Sequence, residues 1–225
     1  MSPLGALDLA EAQPLAVLPT CAATPVPYAR AKRACDIALS LLLLLVAFPF
    51  MLVVALLVKL TSKGPVFYVS DRVGLAGKTI RFTKFRTMIV DADRLIAVLK
   101  SKNEKDGPIF KMKDDPRITP IGRFLRKFSL DELPQLWSVL TGDMSMVGPR
   151  PPLPREVARY DTRAMRRLSV TPGITCYWQV MGRSNLTFEE WLALDLKYID
   201  EMSFWTDVKI LLRTPLAVFG GKGAY

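Results

Sequence analysis

The 225-residue chain contains no histidine. That absence removes the commonest general base, the commonest transition-metal ligand and every Ser–His or Cys–His nucleophile pair. Cysteine is scarce: Cys21, Cys35 and Cys176 are scattered and form no CxxC pair, which argues against a zinc site or a disulfide framework and fits a reducing, cytosol-facing compartment. No Walker A sequence and no Rossmann fingerprint is present, which argues against an ATP-driven kinase or a dinucleotide enzyme. No internal repeat appears. Acidic residues are in short supply, 21 against 31 basic ones, giving a formal charge of +10. Such an excess favours anionic partners: nucleic acid, acidic lipid headgroups or phosphorylated substrates. Acid–base or metal chemistry falls to Asp, Glu, Lys, Tyr or Cys.

What the chain has in abundance is apolar sequence. Residues 1–29 are rich in Ala and Pro and lack periodicity, so they read as a mobile arm. Asp8 and Glu11 stand where a signal peptide would be basic. Arg30, Lys32, Arg33 and Asp36 then precede an unbroken apolar run, Ile37 to Val58. As a helix it is roughly 33 Å long, enough to span a bilayer. Pro49 sits near its middle, and Lys59 and Lys63 follow it. With both flanks basic, the positive-inside bias favours neither orientation of a spanning helix. A re-entrant hairpin broken at Pro49, each limb roughly 18 Å, returns both ends to the cytoplasm and is the favoured reading; a plain crossing is the alternative. This divides the chain into an arm (1–29), a membrane hairpin (30–60) and a cytosolic-face domain (61–225).

Beyond Pro65, Val66–Val69 and Thr79–Thr87 read as strands around a turn marked by Gly74 and Gly77. Lys84 and Arg86, two apart, would share a face. Residues 91–105 are helical in composition. Ile121, Phe124, Leu125 and Phe128 fall at helical spacing, with Arg123, Arg126 and Lys127 off the stripe. Leu133, Leu136, Trp137 and Leu140 repeat that spacing, and residues 188–212 form a third such helix. The stretch Ile210 to Phe219 is too short to span and reads as interfacial. The fold class expected is α+β and predominantly helical: a re-entrant membrane helix-break-helix, a short β-hairpin, and amphipathic interfacial helices around a small globular domain.

The densest polar cluster runs from Ser129 to Pro151. Asp131 and Glu132 are adjacent carboxylates between two amphipathic helices. Ser129 and Glu132 have capping-box spacing, so the pair could merely start a helix. The same geometry suits chemistry, because an ionised carboxylate can attack phosphorus and a neighbouring one can hold Mg²⁺. Gly148-Pro149-Arg150-Pro151 makes a stiff turn that fixes an arginine, whose fork suits phosphate. Gly182-Arg183 frames a second fixed cation. A surface arginine or a salt-bridged turn would be the bland account of each.

These residues carry a resemblance. KRACDI, GPVFY, KFRTM, DPRITPIGRFLRKFSLDELPQLWSVLTGDMSMVGPRP, PGIT…WQVMGR and GKGAY together resemble the small monotopic phosphoglycosyl transferases, the bacterial sugar transferase family, from Lys32 to the C-terminus. The resemblance implies a membrane-bound enzyme on the cytoplasmic face of the bacterial inner membrane. It would transfer a hexose-1-phosphate, glucose or galactose in type, from a UDP-sugar to a polyprenyl (undecaprenyl) phosphate and release UMP, an early step of exopolysaccharide synthesis. Asp131 would be the nucleophile and Glu132 would hold Mg²⁺ beside it. Lys84, Arg86, Arg126, Pro149, Arg150 and Arg183 would lie near the phosphates. Asp207 matches a recurrent acidic position of open role, and Pro49 the membrane break. Membrane lipids are expected partners, nucleic acid is not, and downstream glycosyltransferases or a second copy are further candidates. Two positions depart from the family pattern. Cys176 replaces a usual glycine, which puts that loop's shape in doubt. Phe48 stands where several relatives have serine. A non-catalytic basic scaffold of an assembly complex is the competing reading.

Overall fold

The apolar run folds as one long helix, α1 (Ala29–Thr61), with Pro49 inside it. The computed structural model describes residues 21–99, 104, 112, 114–182 and 186–220. An antiparallel hairpin follows: β1 (Phe67–Val73) and β2 (Thr79–Phe85), joined through a turn at Leu75–Gly77. In its register Tyr68 faces Lys84 and Arg72 faces Ile80. Ile80, Phe82 and Phe85 of β2 are buried. Helix α2 is a single turn (Ile96–Leu99); of the rest of the helix expected over 91–105, Ala92–Leu95 forms a 3₁₀ turn, and residues 100–103 and 105 lie outside the described residues. Helix α3 (Pro120–Lys127) starts on Thr119, whose hydroxyl accepts from the Gly122 N–H, with Pro120 in the first turn.

A short 3₁₀ turn, Leu130–Glu132, leads into α4 (Gln135–Thr141). Next come β3 (Ser145–Val147), α5 (Pro154–Val157), α6 (Thr162–Met165), β4 (Gly173–Thr175), α7 (Tyr177–Met181), α8 (Phe188–Asp200) and α9 (Phe204–Gly220). Strands β3 and β4 pair in parallel, Ser145 with Gly173 and Val147 with Thr175. Three residues each are too few to show a period, so no sequence pattern announces them. The helix expected over 188–212 is two helices. It stops after Asp200, and Ser203 restarts it by accepting from the Thr206 N–H at 3.1 Å. A hydroxyl that caps one helix cannot continue another.

Two apolar clusters hold the body together. The larger joins β2, α4, β3, α8 and α9 through Phe82, Val139, Met144, Val147, Leu196, Tyr198 and Ile210. The smaller joins α1 to β2 and α3 through Val54, Val58, Phe85 and Leu125. Leu133 packs against both, so the residues just after the 3₁₀ turn sit where the clusters meet. The break expected at Pro49 is absent from α1, which is helical throughout; residues on both sides of Pro49 reach the body. Leu39 and Leu44 pack on the larger cluster, and Met51 and Ala55 on the smaller. Between them Leu42, Leu45, Val46, Phe48 and Phe50 are exposed. By length and composition α1 is apolar enough to cross a membrane.

The arm does not stay mobile up to residue 29. Thr24 donates its N–H to the Ser169 carbonyl at 2.7 Å, and the Tyr28 hydroxyl donates to Asp207. The amphipathic stripes also divide differently than expected. Leu125 and Leu136 are buried, while Phe124 and Trp137 on the same helices are 52% and 63% exposed.

Candidate functional site

Asp131 is placed by the 3₁₀ turn, not by a capping box. Ser129 adopts a left-handed conformation (φ 53°) and its side chain does not cap the turn; instead its carbonyl accepts from the Glu132 N–H at 3.2 Å. The main chain therefore reverses sharply out of α3. Leu133, wedged between the two clusters, and Pro134, buried at the start of α4, set the entry into that helix. Asp131 ends up buried and Glu132 half-exposed beside it. At the far end of α4 Arg33 caps the last turn, donating to the carbonyls of Val139 at 2.6 Å and Leu140 at 2.7 Å. The helix behind the two carboxylates is thus anchored to the root of α1.

Lys84 reaches Asp131 from β2. Its Nζ lies 3.8 Å from Asp131 Oδ2, with the two side chains 16% and 6% exposed. Among the described residues this is the one ion pair of Asp131, and no donor lies within hydrogen-bond distance of its carboxylate. Burial pulls the Lys84 ammonium down to about 8, opposed by the charges of Asp131 and Glu132 and reinforced by those of Arg126 and Arg150. Lys84 therefore stands among four residues that the sequence singles out. Phe82 floors the site: the Lys84 ammonium sits 5.6 Å from its ring centre and the Arg72 guanidinium 4.8 Å.

Arg126 points in from α3. Its Nε donates to Thr87 Oγ1 at 2.9 Å, and burial lowers its pKa while Asp131 and Asp115 oppose the shift. Docking α3 this closely requires glycine at 122, because a Cβ there would meet the Thr87 carbonyl oxygen at 2.1 Å. Arg150 follows β3, its guanidinium 5.8 Å from the Trp191 ring centre. The neighbouring Pro149 is buried, and its carbonyl accepts from the Gly173 N–H at 2.9 Å. The Gly148 N–H in turn donates to the Thr175 carbonyl at 2.9 Å. A Cβ on Gly173 would fall 2.1 Å from the Gly148 nitrogen, so two glycines bring the arginine loop against β4.

Three expected site residues sit elsewhere. Arg86 does not share the Lys84 environment, because β2 ends at Phe85 and the strand alternation ends with it. Arg86 instead donates from Nη2 to the carbonyl and hydroxyl of Ser62 at 2.9 and 2.8 Å, clamping the end of α1. Asp207 belongs to a buried lock: Lys32 at 2.6 Å, the Tyr28 hydroxyl at 3.0 Å and the Tyr198 hydroxyl at 2.8 Å all engage its carboxylate. Its role is to tie α9 and α8 to the root of α1. Burial pushes the Tyr198 hydroxyl well above its ordinary range, with Asp207 adding to the shift. Pro49 lies inside α1. Arg183 and the terminal GKGAY lie outside the described residues.

Cys176, the departure from the family pattern, is harmless to the backbone. It sits at φ −159°, ψ −178°, an extended conformation open to any residue, and its thiol is buried. Burial also raises the thiol's pKa, which keeps it unreactive. Two buried cations, Arg72 and Arg167, escape the sequence reading, because each stands beside another charged residue, Asp71 or Arg166, and looks like an ordinary surface charge.

Among the described residues no group of three or more carboxylates or cysteines could hold a metal ion. The two adjacent carboxylates nevertheless suit Mg²⁺, which binds through one or two carboxylates and completes its shell with water and substrate phosphates. Catalytic zinc, by contrast, takes three protein ligands, which these residues do not supply.

A buried carboxylate paired with Lys84, with the Arg126 charge beside it and the Arg150 charge felt by both cations, suits nucleophilic chemistry on phosphate. Comparison with known proteins gives the family. The bacterial sugar transferase profile matches residues 27–221, and the chain belongs to that family. It is 51% identical over 162 residues to the galactosyl transferase CpsE of Streptococcus agalactiae, covering 72% of this chain and 36% of that protein. It is 41% identical over 202 residues to the UDP-glucose:undecaprenyl-phosphate glucose-1-phosphate transferase of Escherichia coli, covering 86% and 41%. To the exopolysaccharide production protein ExoY of Sinorhizobium fredii it is 38% identical over 198 residues, covering 86% and 88%. The chain thus spans well under half of the first two proteins and most of the third.

Proposed function

We propose that this protein is a phosphoglycosyl transferase that moves a hexose-1-phosphate, glucose or galactose in type, from a UDP-sugar to undecaprenyl phosphate at the cytoplasmic face of the bacterial inner membrane. Exopolysaccharide synthesis is the setting that the names of its relatives suggest. The observation that carries the reading is the state of Asp131: buried, ion-paired with Lys84 at 3.8 Å, close enough to Arg126 to affect its charge, and accepting no hydrogen bond from the described residues.

In the first step an Asp131 oxygen attacks the sugar-bearing phosphorus. The new P–O bond forms as the bridging bond to the nucleotide phosphate breaks, and UMP leaves with the bond's electrons. In the second, a phosphate oxygen of undecaprenyl phosphate attacks the same phosphorus and displaces Asp131. Neither substitution needs water or an obligatory general base, which suits a site built without histidine. Lys84, Arg126 and Arg150 neutralise charge on the transferring group, the dominant demand of phosphoryl transfer. Glu132 and Asp131 are the residues that would hold Mg²⁺, which supplies further charge neutralisation on the phosphates when bound.

The acceptor's lipid tail requires the site to lie at headgroup depth. A re-entrant α1 meets that requirement. Residues from both halves of α1 pack on one body, which supports that reading; α1 itself is continuous through Pro49. Trp137, Trp205, Leu212, Leu216 and Phe219, all exposed, would lie in the same interface.

The test is retention of label. Full-length protein given UDP-sugar labelled in the sugar phosphate, with Mg²⁺ and no acceptor, should keep label after denaturation and release UMP; Asp131→Asn should do neither. Turnover without retained label would instead favour direct attack by the lipid phosphate, with Asp131 as base. Normal function in Asp131→Asn would favour the scaffold reading.

A further inference from the structure

We infer that Arg72 and Arg167 are positioning residues, which hold Arg150 in place by donating to the backbone carbonyls of the loop that carries it. The inference rests on the transferase reading of the site and adds to it two residues outside the phosphate ring.

The loop Pro149–Pro152 contains three prolines and therefore a single backbone N–H, that of Arg150. A segment so poor in donors cannot stabilise its own turn. Its four carbonyls are instead met one by one from four directions. Pro149 accepts from the Gly173 N–H at 2.9 Å and Pro152 from the Val73 N–H at 2.9 Å. The two central carbonyls take charged donors: Arg150 accepts from Arg167 Nη2 at 3.2 Å, and Pro151 from Arg72 Nη1 at 3.2 Å. The carbonyl of Arg150 and the one after it are thus fixed by guanidinium groups reaching in from other parts of the chain.

Both arginines are buried at a cost. Arg72 is 5% exposed and Arg167 4%. Arg167 is paired with Asp195, Nε to Oδ2 at 2.9 Å, and bonded to the Tyr160 hydroxyl. Burial lowers the Arg72 pKa to about 10, and the charge of Arg150 lowers it further. Buried pairs of this kind contribute little net stability compared with apolar residues of similar volume. Their effect here is geometric. Arg167 also stacks on Trp191, 5.2 Å from the ring centre, and the Arg150 guanidinium lies 5.8 Å from the same ring. Arg167 therefore registers both the backbone of Arg150 and the indole against which its side chain rests. A displacement of about 1 Å at a phosphate-directed group can cost on the order of 100-fold in rate.

A mutant cycle tests this on full-length protein in detergent micelles, with UDP-glucose and UDP-galactose as donors, undecaprenyl phosphate, Mg²⁺ and radiolabelled product detection. The variants are Arg72→Lys and the volume-conserving pair Arg167→Met/Asp195→Leu, each made with Arg150 intact and with Arg150→Ala. With Arg150 intact, each should lower kcat roughly 10- to 100-fold with KM within about threefold. In the Arg150→Ala background the same changes should lower kcat by less than about threefold, because the group they position is gone. Equal losses in both backgrounds would overturn the inference, as would near-normal kcat in the folded variants. If the paired variant loses its cooperative melt, Arg72→Lys decides by the same criteria. An Asp131→Asn control separates the two levels: wild-type turnover there defeats the transferase reading, whereas an uncoupled cycle beside an inactive Asp131→Asn defeats this inference alone.

Discussion

Two lysine–aspartate pairs in this protein are built from the same residue types and are opposite in character. Lys32 and Asp207 lie 2.6 Å apart, and Tyr28 and Tyr198 engage the same carboxylate. Lys32 also donates to the Val147 carbonyl at 2.9 Å. Every group there is occupied, and the result is a lock between α1, α8 and α9. Lys84 and Asp131 are 3.8 Å apart, also buried, and Asp131 accepts no hydrogen bond among the described residues. Around them Arg126 and Arg150 add positive charge, not partners that close the shell. On the proposed reading, the difference separates a structural ion pair from one that meets a ligand. Saturated polar groups hold a fold, whereas unsaturated ones hold electrostatic potential ready for a ligand.

The comparison breaks first at Asp131. Asp131→Asn should lower UMP release by about 10³-fold or more, since the nucleophile has no substitute, while the thermal midpoint stays within a few degrees. Next comes Lys84. Lys84→Met should cost roughly 100-fold in kcat/KM. The cation exists below a pKa of about 8 and is lost above it, so wild-type activity should fall as pH rises through about 8. Lys84→Arg, charged throughout, should abolish that alkaline limb; a limb that persists unchanged would show that another group titrates.

At the lock the balance should reverse. Lys32→Met leaves Asp207 buried without its cation and should destabilise by about 3–5 kcal/mol, read as a lower denaturation midpoint. The kcat of the folded fraction should stay within about threefold. Gly122→Ala should cost about 1–3 kcal/mol by forcing α3 away from Thr87, and should weaken activity through Arg126. Cys176→Ala should be the mildest, about 1 kcal/mol from the lost sulfur contacts, with kcat within about twofold. A large loss of activity there would mean that the loop depends on this side chain after all.

Much of the site is legible in the chain because local rules suffice. An unbroken apolar stretch marks the long helix, although the break expected at Pro49 does not interrupt it. Gly74 and Gly77 predict the hairpin turn, and adjacent Asp131 and Glu132 between amphipathic stripes mark the centre of the proposed site. Reading fails where a residue's job depends on a distant partner. Arg86 sits two positions from Lys84, yet it faces Ser62, because the strand ends between them. Asp207 has the type and position of a site residue and is instead the anchor of a lock with residues far earlier in the chain. Ser129 has the spacing of a capping box but takes a left-handed conformation to turn the chain.

The membrane-competent helix, the hairpin, the surplus of cations and the exclusion of histidine chemistry are all written in the linear chain. They follow from composition and short-range spacing, which survive any arrangement of its parts. Folding in three dimensions settles which lysine faces which aspartate, which carboxylate is saturated, and which arginines hold the Pro149–Pro152 loop. Those outcomes are set by pairings such as Arg167 with Asp195 and Lys32 with Asp207. Pairing a buried charge is a property of spatial neighbours, and no local pattern encodes it.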